Sequence, residues 1–168
     1  MVVGKVQIFK APGGPGLYGI APQGSIYYAS LAGNYIARID LKTHTSTVIQ
    51  PPTTDQGARR IWSDGRLWII EWNAGKLALY DPATDKWKEW KLQGSNPPYA
   101  AYVDKNDTAW LTDFGTNAIV RFDPTKEKFV DVITLPTPGA DVRQLLGKTG
   151  EIWGAESGAD KLVVVRTD

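Results

Sequence analysis

Arg66-Leu67-Trp68-Ile69 decides the fold, because it recurs as Ser25-Ile26-Tyr27-Tyr28, Thr108-Ala109-Trp110-Leu111 and Glu151-Ile152-Trp153-Gly154. The aromatic column Tyr27, Trp68, Trp110, Trp153 repeats at intervals of 41, 42 and 43 residues. Three residues after each aromatic stand Ser30, Glu71, Asp113 and Glu156, and ten after those stand Asp40, Asp81, Asp123 and Arg166. Three columns keeping step at this spacing mark one four-stranded propeller blade per unit.

Working outward from the tetrad, each unit reads as four short strands punctuated by turns. The first is small and apolar, as in Tyr18-Gly19-Ile20-Ala21 or Ala100-Ala101-Tyr102-Val103, and the tetrad is the second. The third is Tyr35–Ile39, Lys76–Tyr80, Ala118–Phe122 or Lys161–Val165. It runs into turns such as Asp81-Pro82-Ala83-Thr84, where Pro presets φ and Asp accepts a backbone N–H. Outer strands follow at Trp87–Leu92 and Phe129–Ile133. No helical period interrupts them, so the fold class is all-β: a β-propeller of four blades at about 16–56, 57–98, 99–141 and 142–168 plus 1–12.

The last unit lacks its own outer strand, while Lys5-Val6-Gln7-Ile8-Phe9 precedes the first unit. From the turn column to the next unit the spacing is 17, 18 and 19 residues, and from Arg166 through the two termini to Gly16 it is 18. The N-terminal strand is therefore expected to complete the last blade and cover its edge. Three assemblies satisfy this pattern: a self-closed four-blade ring, an eight-bladed ring of two chains, and an open or larger array. Large aromatic faces suit the shallow rotation of rings with more blades. Self-association as a homodimer through blade edges is the expected partnership.

Composition removes whole classes of function. The chain has 168 residues, 42% of them hydrophobic, a net charge of +1, no cysteine and one histidine. Thiolate chemistry, Cys-ligated metals and a two-His metal site within one chain are excluded. Near-neutral charge argues against nucleic acid and anionic membrane as partners. No apolar run reaches membrane-spanning length, and no signal-peptide core opens the chain; the expectation is a soluble protein, cytoplasmic as expressed. Neither G-x-S-x-G nor a phosphate-cradling glycine loop occurs. Gly13, Gly14 and Gly16, beside Pro12 and Pro15, turn the backbone between strands.

The candidate site is the channel mouth, with Glu71, Asp113, Glu156, Arg59, Arg143 and Trp72 as its residues. The carboxylates form either a ring that binds a cation or a set of local anchors for loop N–H groups. Arg59, Arg60 and Arg143 form either an anion site or ion pairs with that acidic column. Trp62 and Trp72 leave the periodic column, which fits ligand stacking or burial between blades. Trp87 and Trp90, three apart, face opposite sides of an outer strand, leaving one free to be exposed.

Asp64-Gly65-Arg66-Leu67-Trp68-Ile69-Ile70-Glu71-Trp72-Asn73-Ala74-Gly75-Lys76-Leu77 resembles the repeat of the streptogramin B lyases, also called virginiamycin B lyases. Their blades read roughly D-G-x-x-W-F-T-E-x-x-x-N-x-I-G-R-I. Residues 106–113, 117–122 and 150–156 follow the same pattern in the third and fourth units, and with the tetrad of the first the resemblance covers all four. It implies a propeller usually of seven blades and near twice this length, of which this chain is about half, as a natural or an engineered fragment. It also implies elimination that opens a macrocyclic ester, with Mg²⁺ or Ca²⁺ as the possible cofactor and histidines fourteen residues before the glutamate. The positions here that match those histidines are Gly16, Gly57, Tyr99 and Val142. The lone His44 falls on a turn at the periphery. The expected function is a catalytically silent, self-assembling scaffold of lyase-like blades, with no catalytic residue and no resident cofactor or metal. The alternatives are capture of a small molecule, peptide or cation at the channel mouth, and a metal-dependent lyase.

Overall fold

The structure, a computed structural model, describes residues 4–94 and 97–167. Residues 1–3 of the proposed terminal strand segment and residue 168 of the last blade lie outside it. Fifteen strands and no helix make up the described residues. The first sheet is β1 (Leu17–Pro22), β2 (Ile26–Ser30), β3 (Tyr35–Ile39) and β4 (Ser46–Ile49). The second is β5 (Ala58–Ser63), β6 (Leu67–Glu71), β7 (Lys76–Asp81) and β8 (Lys86–Lys91). The third is β9 (Pro98–Val103), β10 (Ala109–Asp113), β11 (Ala118–Asp123) and β12 (Lys128–Thr134). The fourth is β13 (Val142–Lys148), β14 (Glu151–Glu156) and β15 (Lys161–Arg166). Each is an antiparallel meander in chain order, and the sheets follow one another around a common axis as the four blades of a β-propeller.

Local chemistry sets the turns. The residue before every third strand is left-handed: Asn34 (φ 57°), Gly75 (φ 65°), Asn117 (φ 52°) and Asp160 (φ 54°). Gly, Asn and Asp tolerate that region best, which is why they recur there. At the next turn, Asp40 Oδ1 accepts the N–H of Lys42 at 2.8 Å, Asp81 Oδ1 that of Ala83 at 2.9 Å, and Asp123 Oδ1 that of Thr125 at 3.0 Å. These side chains replace the backbone in the turn.

Blades are held together by apolar layers between them. Tyr27 and Ile36 of the first blade meet Ile61, Ile69 and Tyr80 of the second. Trp68, Ile70 and Leu77 of the second meet Leu111 and Phe122 of the third. Trp110 and Ile119 of the third meet Val142, Leu145 and Ile152 of the fourth. A fully buried Trp contributes about 4–6 kcal/mol of apolar burial. The aromatic column thus lies between successive blades, with Tyr27 3%, Trp68 0% and Trp110 2% exposed; Trp153, with no fifth blade beside it, is 39% exposed. Among the described residues no such layer joins the fourth blade to the first.

Two expectations need correction. Residues 5–9 do not pair with β15: they form no strand, and Val6 and Ile8 are exposed. The segment instead lies along the free face of the first blade, where Phe9 stacks on His44 at 4.7 Å and Ala11 packs on Tyr28, Tyr35 and Ala37. Within one chain β15 pairs with β14 alone, and no apolar layer joins the fourth blade to the first among the described residues. Trp87 and Trp90 do take opposite faces, but both are half-buried. Trp87 leans on Tyr80 in the first layer and Trp90 on Phe122 in the second, because blade two has a neighbour on each side.

Candidate functional site

The inner strand of every blade carries a β-bulge. Pairing slips between Leu17 and Ile20, between Ala58 and Ile61, between Pro98 and Ala101, and between Val142 and Leu145. A bulge sets two residues against one on the partner strand and re-aims their side chains. The first bulged residues are Tyr18, Arg59, Tyr99 and Arg143; the second are Gly19, Arg60, Ala100 and Gln144. The four inner strands thereby bring tyrosine and arginine together in alternation at the hub. Gly19 permits the approach: a Cβ there would stand 2.8 Å from the Arg59 carbonyl oxygen and 2.9 Å from the Ile61 nitrogen.

Arg59 sits inside an aromatic cage. Its guanidinium carbon lies 4.0 Å from the Tyr99 ring centre, 4.1 Å from that of Trp72 and 4.6 Å from that of Tyr18. Arg59 Nη2 also donates to the Tyr18 hydroxyl at 3.1 Å, and the Tyr18 and Tyr99 hydroxyls bond to each other across the hub. Cation–π contacts of this kind contribute about 0.5–2 kcal/mol each. The Tyr99 hydrogen bond, with Arg59 behind it, holds the Tyr18 phenol below its ordinary pKa. Phe114 stacks on Tyr99 at 4.7 Å and meets the Trp72 edge at 5.7 Å, closing the cage. Of the two off-column tryptophans, Trp72 thus stands at the hub, while Trp62 packs against Tyr102 in the layer between blades two and three.

The acidic column lies apart from these arginines. Glu71, Asp113 and Glu156 are buried, and none is ion-paired with Arg59, Arg60 or Arg143 among the described residues. Asp113 anchors its own loop, accepting from the Gly115 N–H at 2.9 Å and the Thr116 hydroxyl at 2.9 Å. Ser30 does the same in the first blade, receiving the Gly33 N–H at 3.1 Å. Glu71 has no hydrogen-bond donor on either carboxyl oxygen. Burial, with the Glu89 carboxylate nearby, pushes its pKa up to about 8 against the pull of Lys76. Lys76 Nζ is committed elsewhere, to Glu89 at 2.7 Å and Thr53 at 2.6 Å. A neutral Glu71 is the form that burial favours.

The divalent metal that the lyase resemblance implies does not fit these residues. Among the described residues no three His, Asp or Glu side chains converge. Asp113 spends its oxygens on its loop, and Glu71 is held protonated. At the positions matching the family histidines stand Gly16 (φ 91°), Gly57 (φ 66°), Tyr99 and a buried Val142. His44 lies at the periphery, on the turn between β3 and β4 against Phe9. Among the described residues no helix is long and apolar enough to cross a membrane.

Neither a protein-family model nor a curated protein matches the sequence. Solved structures do. A catalytically inactive virginiamycin B lyase from Staphylococcus aureus, crystallised with quinupristin, aligns with a TM-score of 0.79 and 22% identity over 89% of this chain and 54% of its own. A streptogramin B lyase gives 0.76 and 23% over 90% and 55%, and hydrazine synthase of Kuenenia stuttgartiensis gives 0.70 and 17% over 97% and 49%. The chain therefore spans about half the length of these proteins. At such identities the likeness is one of fold: the chain is a four-blade β-propeller whose fold is similar to that of the streptogramin B lyases.

Proposed function

We propose that the chain is a catalytically silent half-propeller, a scaffold that works by self-association. Two copies set the outward face of the fourth blade of one against the outward face of the first blade of the other, once residues 9–11 have lifted from the latter, giving an eight-bladed ring. The supporting observation is Trp153, the one member of the aromatic column without a blade beside it. Register places Leu146, Val164, Ala155 and Leu162 on the same sheet face as Trp153, and Leu146 and Leu162 are exposed with it. On the first blade, Ile20 is 68% exposed where its counterpart Ile61 is 7%. Each open face thus carries the residue types that form the three internal layers, so the contact continues an interface the chain already makes three times.

In that ring the N-terminal segment acquires a partner. Phe9 lies eight residues before Leu17, as Thr134 lies eight before Val142, so residues 5–9 hold the sequence place of an outer strand. The sheet they would extend is the three-stranded fourth blade of the other copy.

Light scattering on the intact chain should give a mass twice 18.5 kDa, reduced to a folded monomer by Trp153→Arg. A wild-type monomer, or an unbounded series of masses, overturns the two-copy ring. Incubation with a streptogramin B and Mg²⁺ should leave the ester intact; ring opening overturns catalytic silence.

A further inference from the structure

We infer that the hub mouth is a binding site for an oxyanion, the phosphate or carboxylate head of a small ligand, held between Arg60 and Arg143. The inference does not rest on the two-copy ring: the cleft is formed within one chain, and Ile20, which that ring would cover, is only one part of its wall. Three guanidinium groups from two blades meet at the hub. Arg60 Nη2 reaches the Arg143 carbonyl oxygen at 3.4 Å, and the Arg60 and Arg143 side chains lie 5.7 Å and 5.9 Å from the same Tyr99 ring centre that Arg59 covers. Among the described residues no carboxylate pairs with any of the three. The buried Nε atoms of Arg59 and Arg60 have no hydrogen-bond partner.

Charge and space agree. Asp113 is turned into its own loop, Glu71 is held protonated, and Glu156 forms no ion pair with the cluster among the described residues. A cleft of about 150 Å³ opens beside it, walled by Arg60, Arg143, Gln144, Trp62, Ile20 and Leu145. Arg59 is already occupied by its aromatic cage and serves as the fixed floor, whereas Arg143 is exposed and retains its fork of donors. Guanidinium groups bind phosphate and carboxylate through paired charge-assisted hydrogen bonds, and Trp62 and Ile20 give an apolar wall for the body of the ligand.

Titration calorimetry at low ionic strength, with inorganic phosphate in one arm and benzoate in the other, tests this. Saturable binding in at least one arm is expected, with the stronger arm naming the head group. Arg143→Ala should weaken it about tenfold or more, since a charged hydrogen bond of this kind is worth about 1.5–3 kcal/mol. Arg143→Lys should recover part of the loss, and Lys126→Ala, on a distant turn, should change nothing. Arg143 makes no packing contact in the apolar layers, so its removal leaves the fold intact. No saturable heat in either arm, or equal affinity in Arg143→Ala, overturns the site.

Discussion

Trp110 and Trp153 occupy the same place in successive blades, yet one is sealed between sheets and the other faces outward. Their own strands are alike, both being second strands paired on each side. The difference is the neighbour. A propeller blade is amphipathic in an unusual sense, since both sheet faces are apolar and each needs another blade to cover it. Burial in this chain is a property of the joint between units rather than of the unit.

The sharpest way to break the comparison is Trp110→Ala, which empties a covered joint. It should cost about 3–5 kcal/mol in urea-induced unfolding. Gly19→Ala comes next, because its methyl group must push β1 from the β5 backbone at the hub. A loss of about 1–3 kcal/mol is expected, together with altered fluorescence of the neighbouring Trp62 and Trp72. Both variants act where blades touch.

Glu71 extends the comparison to ionisation. Its pKa in the fold, about 8, stands above the ordinary 4.5, so the folded chain keeps a proton that the unfolded chain releases. The stability this gives is complete below about 4.5 and drains away as pH rises towards 8. Glu71→Gln carries no such proton. Its melting temperature should match wild type at pH 5 and exceed it by at least about 2 °C at pH 9; parallel melting curves across that range would contradict the burial effect. The smallest effect belongs to Trp153→Ala, measured in dilute monomer. There the outward face should yield about 1 kcal/mol or less, and a loss equal to that of Trp110→Ala would erase the contrast.

How much of this was legible beforehand depended on which feature repeated. The tetrads around Trp68 and Trp110 carried the blade, the strand order and the turn chemistry, because side-chain type there is dictated by burial and φ. The hub was not legible from spacing. Counting fourteen back from the acidic column aligns Tyr99 with Gly16, Gly57 and Val142, but the structure pairs Leu17 with Ser30 and Pro98 with Asp113, spacings of thirteen and fifteen. A one-residue slip moves a side chain to the other face of a strand. Tyr99 belongs with Tyr18, Arg59 and Arg143, and the bulge that places it there has no marker in residue type. The expected pairing of arginines with the acidic column failed for the same reason. The terminal segment failed for a different one: its sequence place is that of an outer strand, but within a single chain it packs on the first blade, which among the described residues shares no apolar layer with the sheet it would extend.

Three apolar layers shared among four blades also give the molecule a gradient along its length. The second and third blades are clamped from both sides; the first and fourth are clamped from one. In a linear array whose cohesion is mostly nearest-neighbour, opening begins at the ends and works inward. In the dilute monomer, amide protons of β2 and β14 should therefore trade with deuterated water sooner than those of β6 and β10, and any agent that caps the ends would slow that exchange throughout.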